Sequence, residues 1–179
     1  MPSGTAARRY AQAVFEMADG GGTLDRWERD LGLLAGAMGD EAVADYLRNP
    51  QVPASQKRAT VDRILGEEGQ QLTRNLAALL IERGRLALLP QIYNSFHERL
   101  LERRGIAVGE VTTAVPLDEE ELALVSRQLR TIVGKDVEIR QRVDPSIIGG
   151  IIARVGDQLI DGSVTSRLRR LREQLVARR

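Results

Sequence analysis

The 179-residue sequence contains no cysteine and a single histidine, His97. The lack of cysteine excludes a disulfide framework, a thiolate zinc site and a cysteine nucleophile. Aromatic residues make up only 3% of the chain, so the core must be built from Leu, Ile, Val and Ala, a composition that favours helices. No apolar run approaches the roughly 20 residues that span a bilayer, and the N-terminal residues lack the apolar centre of a signal peptide. These absences indicate a cytosolic protein without thiol or metal chemistry.

Charge is balanced over the whole chain, with 26 basic and 25 acidic residues, but it is unevenly placed. Residues 106–162 carry more acidic than basic groups, whereas residues 163–179 contain six arginines and one glutamate. A basic segment of this kind is compatible with a solvated helix face, with an acidic protein partner or with nucleic acid. RNA-binding proteins usually combine basic residues with aromatic side chains that stack on the bases. This segment has no aromatic residue, so nucleic acid is the least favoured of the three interpretations.

The first 105 residues have the pattern of consecutive short helices. One helical stripe opens the chain, and Gly20–Gly22 end it before Thr23, which is a candidate N-cap. Gly105 follows the last and longest helix, where a left-handed C-terminal cap is expected. The predicted buried stripe of the first helix consists of Tyr10, Ala13, Val14, Met17 and Ala18. Short helices with short connections predict a compact six-helix bundle over residues 1–105.

After Gly105 the apolar period shortens to two, which predicts a strand within residues 106–115. Asp118 precedes three glutamates and predicts a capping box and a helix that ends at Gly134. Alternation over 137–143, the segment IIGGIIARV and residues 158–160 predict three further strands. Ser163 is then expected to cap a final helix with Val164, Leu168, Leu171 and Leu175 on one face. The predicted fold is therefore mainly α with a small α+β part: the bundle, then a small mixed α/β domain over 106–179.

The motifs that carry chemistry are weak in this sequence. The phosphate-loop pattern fails because Leu129 stands where the first glycine belongs, and Gly149-Gly150 lies in a strand pattern, which favours a bulge or a close backbone approach. Ser163 has no nucleophile-elbow context and is better explained as a cap. Glu119–Glu121 suit a helix dipole better than a cation. We therefore expect no catalytic residue, no bound metal and no cofactor.

Two segments carry recognisable motifs: ARRYAQAVFEMA, residues 7–18, and residues 143–175. They resemble the opening pattern and, almost throughout, the C-terminal signature of the delta subunit family of bacterial F-type ATP synthases, which is similar to the mitochondrial oligomycin-sensitivity-conferral protein. A third segment, residues 82–96, resembles the start of that family's sixth helix, although Arg83 replaces a common asparagine. The signature positions, expected to be mainly structural, are Gly149, Gly150, Asp161, Gly162, Ser163 and Arg167.

The resemblance implies a non-catalytic stator connector that links the catalytic head to the peripheral stalk, so that proton-driven rotation is coupled to ATP synthesis. It implies that the helical domain docks the N-terminal helices of alpha subunits, through a groove between the first and fifth helices. The residues expected there, each of which could equally belong to the bundle core, are Ala7, Tyr10, Ala11, Val14, Phe15, Leu76, Leu79 and Leu80. Phe15 and Ala11 are favoured as contacts, because they fall off the predicted stripe.

The C-terminal domain is expected to hold the stalk's b subunits, with Arg169, Arg170 and Arg172 facing an acidic end of the stalk. The complex would sit at the cytoplasmic face of the cell membrane, with this chain peripheral and not inserted in lipid. The alternative hypothesis is a basic-tailed adaptor that binds nucleic acid or assists assembly, which predicts a steep salt dependence of binding to RNA or DNA.

Overall fold

The computed structural model describes the backbone of residues 2–177 and the side chains of residues 4–171 and Glu173. Within this range the chain is mostly helical with one small four-stranded mixed sheet, which confirms the predicted fold class at that level. The chain divides into two compact units, Met1–Leu100 and Leu101–Arg179. No helix of the described residues is long and apolar enough to cross a membrane.

Helices dominate the first unit. They are α1 (Pro2–Gly20), α2 (Leu24–Ala37), α3 (Glu41–Arg48), α4 (Ala54–Leu65), α5 (Gln71–Glu82) and α6 (Leu89–Arg103), with one 3-10 turn, Leu86–Leu88, before α6. Their apolar faces form a single core around Trp27, Leu31, Leu80, Ile92 and Phe96. The core is built chiefly from aliphatic side chains, as the scarcity of aromatic residues requires.

A buried carboxylate joins α2 to the start of α5. Asp30 is fully buried, and it accepts hydrogen bonds from the Thr73 hydroxyl and the Gln70 backbone N–H, each at 2.9 Å. Arg29 lies beside it at 3.2 Å. These donors replace hydrogen bonds to water that burial removes from Asp30.

The buried face of α1 differs from the predicted one. The stripe that enters the core is Ala7, Ala11, Val14 and Ala18, whereas Met17 is 49% exposed and Ala13 is also exposed. The expectation that Ala11 lies off the buried stripe is therefore wrong. Small alanines occupy both sides of this helix, so its apolar period fits two orientations, and packing against the other helices decides between them.

Thr23 does not cap α2 with its side chain. Its φ of −116° and ψ of 20° lie outside the extended region from which an N-cap hydroxyl reaches the first free N–H groups. The preceding Gly22 has a φ of +63° and makes the turn between α1 and α2.

The second unit is a sheet covered by one helix. Its elements are β1 (Ala107–Thr113), α7 (Glu119–Val133), β2 (Val137–Val143), β3 (Ile151–Val155), β4 (Gln158–Asp161) and α8 (Val164–Ala177). The strand order is β2-β1-β3-β4, with β1 and β2 parallel through α7 and the other pairs antiparallel. Val111, Val125, Leu129, Ala153 and Val155 form the core between α7 and the sheet.

Most of the local signals in this unit are confirmed. Asp118 and Glu121 form the predicted capping box, and Gly134 ends α7 in the left-handed conformation with a φ of +74°. The prediction that places Gly149-Gly150 inside a strand is wrong, because β3 begins after them, at Ile151. Gly150 has a φ of +86°, which a strand residue does not adopt.

Candidate partner-docking surfaces

Most of the predicted groove residues belong to the core of the helical unit. Ala7, Ala11, Val14, Leu76 and Leu80 are all buried in one cluster. The other three predicted groove residues reach the surface to different degrees. Phe15 is partly buried, with its ring edge-on to Phe96 at a centroid distance of 5.6 Å, whereas Leu79 on α5 is 40% exposed and Tyr10 is half-buried.

A second apolar stripe of α1 lies at the surface, beside the buried one. It comprises Ala6, Tyr10, Ala13 and Met17, which follow helical spacing i, i+4, i+7, i+11. An open depression of about 720 Å³ lies against the N-terminal part of this stripe. We call it the α1 groove; its lining residues are Thr5, Ala6, Arg9, Tyr10, Ala13 and Arg85.

The end of α5 places Arg85 at the α1 groove. Gly84 has a φ of +61°, and its N–H donates to the Ile81 carbonyl at 3.0 Å, while the Arg85 N–H donates to the Leu80 carbonyl at 2.7 Å. This pair of bonds is the Schellman arrangement, in which glycine relieves the left-handed strain. Arg85 Nη1 then donates to the Tyr10 hydroxyl at 3.3 Å. The helix ending thus sets a cation over the groove.

The C-terminal unit has its own uncovered apolar surface. A depression of about 350 Å³ lies against α7, β3, β4 and α8; we call it the α7–α8 groove. Its lining includes Ile132 of α7, which is 56% exposed, and Val164 of α8, which is 37% exposed. The α8 stripe continues through Leu168 and Leu171, both more than half exposed. The α8 face predicted from periodicity is therefore real, but over its described length it is left open.

The family-signature residues meet where α8 begins. The Gly149 carbonyl accepts from the Val164 N–H, and the Ile151 carbonyl accepts from the Gly162 N–H, each at 2.9 Å. A Cβ on Gly150 would lie 2.6 Å from the Gly162 carbonyl oxygen and 2.9 Å from Ser163 Cα. The close backbone approach predicted for the glycine pair is thus present.

Side chains lock the same corner. The Ser163 hydroxyl accepts from the Ser166 N–H at 3.2 Å, which confirms Ser163 as the cap of α8. Asp161 accepts from the Ser166 hydroxyl and from the Ser163 N–H. The hydroxyl of Ser166 first, and Ser163 second, lower the pKa of Asp161 to about 2. Since these bonds favour the charged carboxylate, the corner is built for an ionised Asp161.

The predicted arginines take different places. Arg167 lines the α7–α8 groove. Arg169 is exposed, whereas Arg170 donates to the Ser166 and Asp161 carbonyls at 3.3 Å and so helps to hold the start of α8. The side chains of Arg172 and Leu175 lie outside the described residues.

The groove residues that the sequence analysis did not single out include Arg9, Arg85 and Ile132. Arg9 lies on a helix face and Arg85 follows a turn, and neither position carries a chemical motif. Gly84 was the available signal for Arg85, since a glycine just past an apolar helix predicts a fixed direction for the residue after it.

The described residues contain no group of three or more His, Asp or Glu side chains that could hold a metal ion. His97 places Nδ1 2.9 Å from Glu28 Oε1, and its ring stacks on Tyr93 at a centroid distance of 5.6 Å.

Both grooves offer apolar surface and arginine cations, which suits binding of protein helices.

Comparisons with known proteins agree over nearly the whole chain. Residues 6–175 match the family model described as ATP synthase delta (OSCP) subunit. The chain is 39% identical to an ATP synthase subunit delta of Alcanivorax borkumensis, covering 96% of both chains, and 37% identical to one of Symbiobacterium thermophilum, covering 96% of this chain and 92% of the relative. A chain in the cryo-EM structure of the Toxoplasma gondii mitochondrial ATP synthase hexamer superposes with a TM-score of 0.67 at 26% identity, covering 95% of this chain and 97% of that one.

These matches give no support to the nucleic-acid adaptor and bear out the resemblance carried by residues 7–18 and 143–175. The delta subunit is a structural rather than a catalytic part of the synthase. This chain belongs to the ATP synthase delta (OSCP) subunit family, the non-catalytic stator subunits of F-type ATP synthases.

Proposed function

We propose that this chain connects the catalytic head to the peripheral stalk by docking one partner on each compact unit. In this proposal the helical unit acts as one six-helix bundle, residues 1–105, that binds the N-terminal helices of alpha subunits. Residues 106–179 bind the b subunits of the stalk. The observation that carries the proposal is that each unit leaves an apolar helix face uncovered, on α1 and on α8.

For the helical unit, the docking surface that we propose is the α1 groove. Tyr10 and Ala13 line it, and Met17 extends the stripe by about one turn beyond Ala13. Ala7, Ala11, Val14, Leu76 and Leu80 support this surface from the core. An apolar stripe at helical spacing is the kind of surface that receives another amphipathic helix.

For the C-terminal unit, we propose that a stalk helix covers the α7–α8 groove and the stripe of Val164, Leu168 and Leu171. If a stalk helix covered these three side chains, the apolar area removed from water would be enough to form the core of an interface. Arg169, together with Arg172, would form a basic rim for an acidic stalk segment. Arg170 contributes chiefly by holding α8 in place.

Membership of the delta subunit family supports a proposal for the location of the chain. The chain is a peripheral component without a membrane-spanning helix in its described residues, and we propose that it works at the cytoplasmic face of the cell membrane, without lipid contact.

The test is calorimetric titration of the full chain with two synthetic peptides, one from the N-terminal helix of the alpha subunits and one from an acidic end segment of the b subunits. Met17→Asp should weaken binding of the alpha peptide at least about tenfold and leave binding of the b peptide unchanged. Leu168→Asp should weaken binding of the b peptide at least about tenfold and leave binding of the alpha peptide unchanged. Matched controls are Leu33→Asp on α2 and Leu159→Asp on β4, whose side chains are 44% and 61% exposed but lie outside both grooves.

Either control that weakens binding as much as its groove variant would contradict the assignment of that groove. Loss of both peptides in one variant, with an intact circular dichroism spectrum, would contradict the division of the two partners between the two units.

A further inference from the structure

The charge around the α1 groove is of one sign. Both charged residues that line it, Arg9 and Arg85, are basic, and its other described lining residues are neutral. Glu16, further along the same side of α1, lies outside the lining and accepts a hydrogen bond from Gln12 at 3.0 Å. The groove is thus an apolar surface with a positive edge.

Within the part of the chain that the structure describes, the Arg85 guanidinium bonds to one side chain, with Nη1 donating to the Tyr10 hydroxyl at 3.3 Å. A guanidinium has five N–H donors in a planar fork, so its other donors can serve a bound group. The Schellman turn fixes the backbone from which the side chain extends. A positioned fork of this kind suits a carboxylate, which accepts two parallel bonds from it.

A helix docked on the groove would exclude water from part of this positive edge. Covering a guanidinium with apolar atoms alone would leave donors unpaired, which costs free energy. A carboxylate on the incoming helix removes that cost and adds a charge-assisted bond. Its place would be beside the apolar side chains that contact Tyr10 and Ala13.

We infer that the α1 groove recognises an amphipathic helix through a carboxylate on that helix, which pairs with Arg85 and Arg9. The inference rests on the proposed docking of an N-terminal helix of the alpha subunits and names the side-chain chemistry by which that docking is specific. The apolar stripe supplies contact area, and the two arginines fix the register and direction of the bound helix.

The experiment titrates the full chain with the synthetic peptide from the N-terminal helix of the alpha subunits, and with peptides in which each acidic residue in turn is replaced by its amide. Arg85→Glu and Arg9→Glu are compared with Arg8→Glu. Arg8 is exposed on the opposite side of α1, so that variant makes the same charge change on the same helix.

We expect Arg85→Glu and Arg9→Glu to weaken binding at least about tenfold and Arg8→Glu to change it less than about threefold, since a rim charge outside the contact contributes little. One of the amide peptides should bind the unmodified chain about as weakly as the unchanged peptide binds Arg85→Glu. The affinity of that amide peptide should fall little further when it is titrated into Arg85→Glu. A peptide with lysine at that position should regain affinity for Arg85→Glu, which a purely structural role of Arg85 in holding Tyr10 would not produce.

Binding that ignores every acidic residue of the peptide, or that responds to Arg8→Glu as strongly as to Arg85→Glu, would overturn the carboxylate contact and leave the proposed docking intact. Failure of the unchanged peptide to bind the unmodified chain would overturn the docking and the carboxylate contact together.

Discussion

At the residue scale, Gly150 combines a positive φ with a blocked Cβ position, whereas Gly134 has only the positive φ and Gly109 only the blocked position. The Gly150 φ of +86° is unfavourable for any residue with a side chain, and a Cβ would meet backbone atoms of Gly162 and Ser163 at 2.6 and 2.9 Å. Backbone atoms in a paired corner cannot move aside as a flexible side chain can. Gly134 has a similar φ of +74° but open space around it.

We therefore expect Gly150→Ala to destabilise the C-terminal unit by about 3 kcal/mol or more, and Gly134→Ala by about 1 kcal/mol, the cost of left-handed strain alone. Hydrogen exchange of the β1, β3 and β4 amides in the full chain measures both. Equal losses in the two variants would show that the contact with Gly162 contributes nothing beyond the strain.

Residue-level signals in the sequence predicted the local geometry of most helix ends, although Thr23 does not cap α2 with its side chain. Asp118, Gly134 and Ser163 each act through bonds within three or four residues, so their roles could be assigned without the fold. Arg85 could not be assigned in this way, because its contact with Tyr10 spans 75 residues of sequence.

At the element scale, α8 depends on the ionised Asp161 at its N-terminal end. In the unfolded chain an aspartate has a pKa of about 3.9, and in the folded chain the hydroxyl of Ser166 and then Ser163 lower it to about 2. A lowered folded pKa means that the stabilisation is complete above about pH 4 and is lost as the pH falls from about 4 to 2. Because Asp161 is exposed, the effect is modest in size.

We expect Asp161→Asn to lower the thermal stability of the C-terminal unit by a constant amount above about pH 5. The difference from the unmodified chain should shrink between pH 4 and 2, where the carboxylate becomes protonated. Circular dichroism melting curves across this range provide the measurement, with Asp157→Asn in the neighbouring β3–β4 turn as the control. A difference that does not shrink between pH 4 and 2 would assign the effect to the shape of the side chain rather than to its charge.

Two helices show where periodicity stops being informative. On α1, alanines on both faces left the buried side undetermined, and the choice between two stripes depended on packing with other helices. On α8, the period correctly identified Val164, Leu168 and Leu171 as one face, yet a period cannot state whether a helix buries that face in its own unit or offers it to a partner. In both cases the missing information is tertiary.

At the scale of the whole molecule, the two grooves belong to separate compact units of one chain. In the proposed arrangement one partner occupies each groove, and once the first is bound the second meets its groove at a raised effective concentration. This would increase avidity by about 10²–10⁴ when the geometry permits both contacts, and so slow the release of either partner from a connector under continuous torque.

We expect the full chain to dissociate from a surface that carries both the head and the stalk fragment at least about 10²-fold more slowly than from a surface that carries either alone. Met17→Asp or Leu168→Asp should each abolish that advantage, because one disabled groove returns the chain to a single contact, whereas Leu33→Asp and Leu159→Asp should preserve it. Biosensor dissociation rates provide the measurement. Equal rates from the paired and single surfaces would mean that the two units do not hold their partners at the same time, and the stator role would then have to rest on one groove alone.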